Sequence, residues 1–320
     1  MKFVMLPPQT EFTRQWAARL STALPEVSVT VAEDLRAASA AVGDADAVFG
    51  TLTPDLLPLA RKLRWIQAPH AAPPAGYYYP ELIAHPVVVT NFREIYNDHI
   101  SAHIMMYVLN FARGMQRFIP QQQRREWSRP PRDTGVVALT EATALIVGVG
   151  GIGSETARLA GAFDMRVIGL DARRESAPPG VAELHPPESL DALLPQADFV
   201  ILTVPHTPAT EGFFGRERFR RMKPTAFFIN IGRGRTTRLD DLTQALRDGV
   251  IAGAGLDVFE TEPLPADHAL WSLPGVILTP HMAGFGPHVN ERRYDIILDN
   301  CRRFLSGKTL RNIVDKQNWF

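Results

Sequence analysis

The chain has 320 residues, 45% hydrophobic and 21% charged, a length that favours about two domains and a composition that suits a soluble globular protein. Its 34 Lys and Arg balance 34 Asp and Glu, which excludes a net field drawing it to nucleic acid or to an anionic membrane surface. One cysteine, Cys301, excludes an internal disulfide, fits a reducing compartment, and reads as a small apolar filler on a C-terminal helix.

Residues 1–6 are apolar but stop at Pro7, too short for a signal-peptide core. No window approaches the roughly 18 apolar residues of a spanning helix, so the expectation is a cytoplasmic protein. Candidate strands follow at 3–6, 47–51, 63–67 and 87–90, with Phe12, Trp16, Ala17 and Leu20 recurring at helical spacing between the first two. That alternation predicts a parallel sheet with covering helices. After Gly76, Tyr77, Tyr78 and Tyr79 read as packing at a domain edge in preference to the wall of an aromatic substrate site.

A long helix is predicted over 98–118, with Ile100, Ile104, Val108, Phe111 and Met115 on one face. His99 and His103, four apart on it, have a spacing a metal can use, but no acidic third ligand follows and core or hinge contacts are expected. The passage 121–133 carries Arg124, Arg125, Arg129 and Arg132 among prolines and a Trp, and reads as a solvated connection in preference to an anion site.

The α/β pattern then restarts. Residues 145–147 form a fully buried strand, followed by glycines and a helix through Phe163, then a strand over 167–170 that ends at Asp171. Further strands are predicted at 199–204, 226–231, 251–256 and 276–278, and a final helix at 289–305. Gly148, Gly150 and Gly153 match G-x-G-x-x-G, with Gly151 and Ile152 opening the helix and Asp171 lying 18 residues beyond Gly153. Gly148 allows a tight turn, Gly150 lets backbone approach a pyrophosphate, and Gly153 permits close helix–strand packing. The phosphates would meet N–H groups at the helix N-terminus. Asp171 would accept from the adenosine ribose hydroxyls, which favours NAD, while Arg173 and Arg174 leave NADP open.

Downstream, three residues supply the remaining chemistry. Arg233 sits in Asn230-Ile231-Gly232-Arg233-Gly234, Glu262 in Phe259-Glu260-Thr261-Glu262-Pro263, and His281 in Thr279-Pro280-His281. Hydride delivery to a 2-keto carbon leaves an alkoxide that needs a proton, and histidine is the natural donor. A carboxylate on its other ring nitrogen favours imidazolium and fixes the ring. An arginine can grip a substrate carboxylate with two parallel hydrogen bonds. Glu260 competes with Glu262 for the carboxylate role.

Taken together these segments resemble the D-isomer-specific 2-hydroxyacid dehydrogenases, over about residue 63 to the end and most specifically over 148–284. Asn230 to Gly234 is similar to the family's Asn-x-x-Arg-Gly. Leu256-Asp257-Val258-Phe259-Glu260-Thr261-Glu262-Pro263-Leu264 is similar to Leu-Asp-Val-Phe-x-x-Glu-Pro-Leu, and Thr279 to Gly284 to Thr-Pro-His-x-Ala-Gly. The resemblance implies that Arg233 binds substrate, Glu262 partners the histidine and His281 is the acid/base. It gives Asp257 a contact with the nicotinamide carboxamide, a purely structural strand-end Asp being the alternative. It also implies an α/β fold of two doubly wound parallel-sheet domains. A Rossmann NAD-binding domain would span 99–291, and a flavodoxin-like substrate domain 1–98 with 292–320, with the reactants in the cleft between them. A homodimer built through the nucleotide domain is implied too.

The implied reaction is hydride transfer between NAD(P)H and a small 2-keto acid, such as glyoxylate, hydroxypyruvate or pyruvate, giving a D-2-hydroxy acid. The chain departs from the family in one loop, where Ser-Ala-Gly-Val-Asp normally offers N–H groups to the substrate carboxylate. Here Pro73 and Pro74 have no N–H, leaving Ala71, Ala72 or the His70 side chain, with Arg93 as a candidate second cation. The alternative function is an NAD(H)-sensing binding protein, like the transcriptional corepressors that resemble this family; oxidation of formate or phosphite is a third reading.

Overall fold

The computed structural model describes residues 1–72, 76–129 and 135–319; Pro73, Pro74 and Arg132 lie outside these. The chain divides into two compact units, Met1–Ile95 with Gly286–Phe320, and Tyr96–Phe285.

In the first unit β1 (Lys2–Met5), α1 (Glu11–Ala23), β2 (Ser28–Val31), α2 (Leu35–Val42), β3 (Ala47–Phe49), β4 (Trp65–Gln67), α3 (Pro80–Ala84) and β5 (Val88–Thr90) alternate along the chain. The strands form one parallel sheet of order β2-β1-β3-β4-β5, the flavodoxin-like order. Thr10 caps α1 through a reciprocal pair with Thr13, and Trp16, Ala17 and Leu20 bury its inner face. Tyr77 and Tyr79 donate their hydroxyls to the carbonyls of Gly50 and Leu52 at 3.1 Å each, so both act as packing residues of this unit.

The second unit begins with α4 (Asn97–Ala112) and α5 (Met115–Arg124), followed by β6 (Thr143–Val147), α6 (Gly151–Gly161), β7 (Arg166–Leu170), β8 (Glu183–His185), α7 (Leu190–Leu193), β9 (Phe199–Leu202), α8 (Arg216–Arg221), β10 (Phe227–Asn230), α9 (Leu239–Arg247), β11 (Gly253–Leu256) and β12 (Val276–Leu278). α10 (Val289–Leu305) belongs to the first unit. The seven strands are parallel in the order β12-β11-β10-β9-β6-β7-β8, the doubly wound dinucleotide-binding order with its switch point between β6 and β9. All five residues of β6 are buried because helices cover both faces. Ala144 and Ile146 pack with Ile104, Val108, Phe111 and Ala157 on one side; Leu145 and Val147 pack with Phe228, Leu242 and Leu256 on the other.

The single helix expected over 98–118 is two helices. Gly114 adopts φ +70°, a left-handed conformation that ends α4, and a second helix continues to Arg124 into the passage read as irregular. None of the residues of α5 is buried, and Met115, expected on the apolar inner face, is exposed. Among the described residues no helix is long and apolar enough to cross a membrane.

Candidate active site

In an all-parallel sheet every strand delivers its following loop to the same edge, and the singled-out residues of the second unit follow β6, β7, β10, β11 and β12 there.

The turn after β6 is built from glycine. Gly148 has φ +97°, and a Cβ there would sit 2.9 Å from Cγ1 of Val204. A Cβ at Gly153 would collide with the Gly148 carbonyl, so α6 can approach β6 only with glycine there. At Gly150 a Cβ would meet nothing within 4 Å, so the backbone faces open space where α6 begins. Gly151 abuts the Asn97 amide, and Ile152 anchors the start of α6 by accepting from the Ser101 hydroxyl at 3.0 Å. First-turn N–H groups of a helix lack intrahelical partners, so this turn suits an anionic diphosphate.

Asp171 ends β7 and its carboxylate is turned onto the loop. Oδ2 accepts from Val149 N at 2.9 Å, and Oδ1 accepts from the backbone N–H groups of Arg173 at 2.9 Å and Arg174 at 3.1 Å. The Arg174 guanidinium donates to the Val149 carbonyl at 2.5 Å and to Ser154 Oγ at 3.3 Å, which brings a cation to the same corner.

After β10, buried Asn230 organises the turn that carries Arg233. Its Oδ1 accepts from Gly232 N at 3.0 Å, and its Nδ2 donates to the Arg233 carbonyl at 3.2 Å and Thr237 Oγ1 at 3.1 Å. Gly234 lies against the Phe259 backbone, where any Cβ would clash, so glycine after Arg233 is a packing requirement. Arg233 is half-buried and donates to the Gly232 carbonyl at 2.6 Å. Burial lowers its pKa while the nearby Glu262 carboxylate opposes that shift.

His281 Nδ1 and Glu262 Oε2 lie 2.6 Å apart, and Glu262 Oε1 accepts from Phe259 N at 2.9 Å. The competing carboxylate, Glu260, points elsewhere: its Oε2 accepts from Leu239 N at 2.9 Å and so caps α9. His281 has φ +50°, the left-handed region that residues with a Cβ rarely adopt. Asp257 is buried, and it binds this loop. Its carbonyl accepts from His281 N at 2.9 Å, Oδ1 from Met282 N at 2.8 Å and Oδ2 from Ala283 N at 2.9 Å.

Behind Asp257 stands a polar cluster in which only His103 is singled out from the sequence, and there for core or hinge contacts. Thr279 Oγ1 donates to Asp257 Oδ1 at 2.6 Å and lies 2.5 Å from the Tyr107 hydroxyl and 2.9 Å from His103 Nε2. Gly255 is a further signal in the sequence: a glycine inside a strand marks a close approach, and a Cβ there would lie 2.7 Å from the Tyr107 ring. His103 therefore makes an internal polar contact, while no group of three potential metal ligands occurs among the described residues.

A family model, D-isomer specific 2-hydroxyacid dehydrogenase, NAD binding domain, matches residues 105–283. A glyoxylate reductase of Korarchaeum cryptofilum is 40% identical over 173 residues, 54% of this chain and 52% of that protein. A glyoxylate/hydroxypyruvate reductase B of Pectobacterium carotovorum is 35% identical over 236 residues, 72% of each chain. Among solved structures, a D-isomer specific 2-hydroxyacid dehydrogenase from Xanthobacter autotrophicus in complex with NADPH and MES superposes with a TM-score of 0.86 at 25% identity, covering 100% of this chain and 99% of the other.

Proposed function

Because this chain belongs to the D-isomer specific 2-hydroxyacid dehydrogenase family, we propose that it reduces a small 2-keto acid of the glyoxylate or hydroxypyruvate class to a D-2-hydroxy acid with NAD(P)H. The observation that carries this reading is the 2.6 Å contact between His281 Nδ1 and Glu262 Oε2, with Arg233 close enough for its charge to respond to the same carboxylate.

A bound nicotinamide cofactor would supply the hydride for the carbonyl carbon. Gly148, Gly150 and Gly153 and the first turn of α6 would hold its diphosphate, and Asp171 with Arg174 would meet its adenosine ribose. Arg233 binds the substrate carboxylate through its guanidinium and stabilises charge at the ketone oxygen. With Nδ1–H held by Glu262, His281 presents Nε2, which gives its proton to the oxygen as the C–O bond becomes an alkoxide and recovers it in the reverse reaction. Glu262 stabilises the imidazolium and keeps the ring aimed. Asp257 acts at this site through the loop it binds. The assembly is a homodimer made through the nucleotide-binding unit, a reading supported by α5, which buries none of its own side chains and leaves Met115 and Ile119 exposed.

Activity is to be tested with glyoxylate, hydroxypyruvate, pyruvate and phenylpyruvate against NADH and NADPH. In His281→Gln the turnover number should fall about 100- to 10,000-fold while cofactor binding, followed by nicotinamide fluorescence, persists. Near-parental turnover by that variant would refute the acid/base role. Tight cofactor binding with no turnover of any keto acid by the parent would refute the enzyme reading altogether.

A further inference from the structure

The partly buried cluster of Thr279, Tyr107 and His103 has no part in the proton or hydride steps, yet it converges on Asp257. Its hydrogen-bond directions follow from donor counts and from the protonation of Tyr107. Thr279 donates its one proton to Asp257 Oδ1 at 2.6 Å, leaving two lone pairs on Oγ1. Tyr107 stays protonated because burial pushes its hydroxyl far up, so it donates to Oγ1 across 2.5 Å. The second lone pair faces His103 Nε2 at 2.9 Å, which fixes that imidazole in the tautomer protonated at Nε2. Burial also lowers the pKa of His103, against the raising effect of Asp257, so the neutral ring fits this arrangement. The Tyr107 and His103 protons thus converge on Thr279 Oγ1, whose own proton goes to Asp257 Oδ1, the carboxylate oxygen 3.8 Å from His103 Nε2.

Asp257 in turn holds three consecutive residues, 281 to 283, by its carbonyl and both carboxylate oxygens. A non-glycine residue at φ +50° persists only where its surroundings over-determine the backbone, and His281 is that residue. We infer that Thr279, Tyr107 and His103 are positioning residues: by anchoring Asp257 they hold the left-handed backbone of His281 that aims its ring at Glu262 and the reacting oxygen. The inference rests on the acid/base reading of His281 given above.

The test compares Thr279→Val, Thr279→Ser and Tyr107→Phe with His281→Gln in the full chain, using glyoxylate and hydroxypyruvate with NADH and NADPH. Misplacing a reacting group by a fraction of an ångström to an ångström costs up to about 100-fold, so Thr279→Val should lower kcat about 10- to 100-fold and Tyr107→Phe about 3- to 10-fold. KM and cofactor Kd should stay within about twofold of the parent, because ground-state binding is untouched. Thr279→Ser, which restores the hydroxyl, should recover most of the loss. A solvent deuterium isotope effect on kcat larger in Thr279→Val than in the parent should mark proton donation as the slowed step. Parental kcat in both Thr279→Val and Tyr107→Phe, with His281→Gln inactive, would overturn the positioning role and leave the acid/base reading standing. A rise in KM or Kd at unchanged kcat would overturn it in favour of a ligand-binding role for the cluster. An active His281→Gln would instead bring down the acid/base reading itself. Tyr107→Phe deletes a single oxygen and keeps the ring packed on Gly255, so it tests the inference even if Thr279→Val fails to fold.

Discussion

Replacing Glu262 by glutamine removes one charge and almost no volume, which isolates the electrostatic part of the His281–Glu262 pair. Glu262 receives two donors at once, His281 Nδ1–H at 2.6 Å on Oε2 and Phe259 N–H at 2.9 Å on Oε1. A glutamine has one carbonyl oxygen and one NH2, so it can serve only one of them as acceptor. If it keeps Phe259, its NH2 faces Nδ1 and forces the ring to accept there, the opposite of what a proton-donating imidazolium needs. The two side chains are 48% and 34% exposed, which puts the pair between the water and the protein-surface limits of Coulomb's law, about 1 to 4 kcal/mol for charges some 4 Å apart. A charge-assisted hydrogen bond is worth about 1.5–3 kcal/mol, within the same range. At 1.36 kcal/mol per decade the expected loss in kcat is about 10- to 100-fold. Folding stability should change by under about 1 kcal/mol, since exposed pairs contribute little to it. Steady-state reduction of glyoxylate, read by loss of nicotinamide absorbance beside a thermal melt, measures both. Glutamine activity within twofold of the parent at every pH would show that the carboxylate charge does not support the histidine, and the reasoning would fail.

Arg233→Ala should lower kcat/KM for 2-keto acids about 100-fold, chiefly through KM, because a charge-assisted clamp on the substrate carboxylate is lost; an unchanged KM in saturation curves would contradict this. Asp171→Ser should raise the NADPH to NADH ratio of kcat/KM about 10-fold by removing a negative charge beside the 2′ position, and Arg174→Ala should lower it by a similar factor; shifts of the same sign in the two variants would reject the assignment of that corner. Burial lowers the pKa of His103 and of His85, so as pH falls the unfolded chain, with imidazoles near 6.5, takes up protons before the folded one does. Stability from these groups is therefore complete above about pH 6.5 and lost below it, and melting temperatures from pH 7.5 to 5.5 should fall less steeply in His103→Gln than in the parent.

The two-sheet fold is legible in the sequence where burial is two-sided. β6, β9 and β10 are apolar apart from the terminal Thr143 and Asn230 because both of their faces are covered, and each can be located from composition alone. β2 and β8 escape that reading. They are edge strands of four and three residues, Ser-Val-Thr-Val and Glu-Leu-His, pairing on one side only and left partly exposed, so no apolar run marks them. The break at Gly114 escapes for another reason: apolar positions keep helical spacing across it, and only the left-handed backbone of that glycine separates α4 from α5.

The residues of the candidate site divide along the same line. Arg233, Glu262 and His281 announce themselves because each lies in a short segment whose neighbours serve local geometry: Asn230 and Gly234 shape the arginine turn, and the loop after β11 returns Glu262 toward the histidine. The contacts of Thr279 with Tyr107 and His103 have no local pattern, since 172 and 176 residues separate the threonine from its two partners. What joins them is sheet register. β11 and β12 pair Leu256 with Leu278, so the next residue on each strand, Asp257 and Thr279, must emerge side by side at the carboxyl edge. Gly255, two residues before Asp257, clears the space through which α4 brings the Tyr107 ring against that edge. A local pattern can therefore mark a candidate site residue such as His281. The contact between Asp257 and Thr279 behind it is specified by pairing between distant strands, and becomes visible only once the register is known.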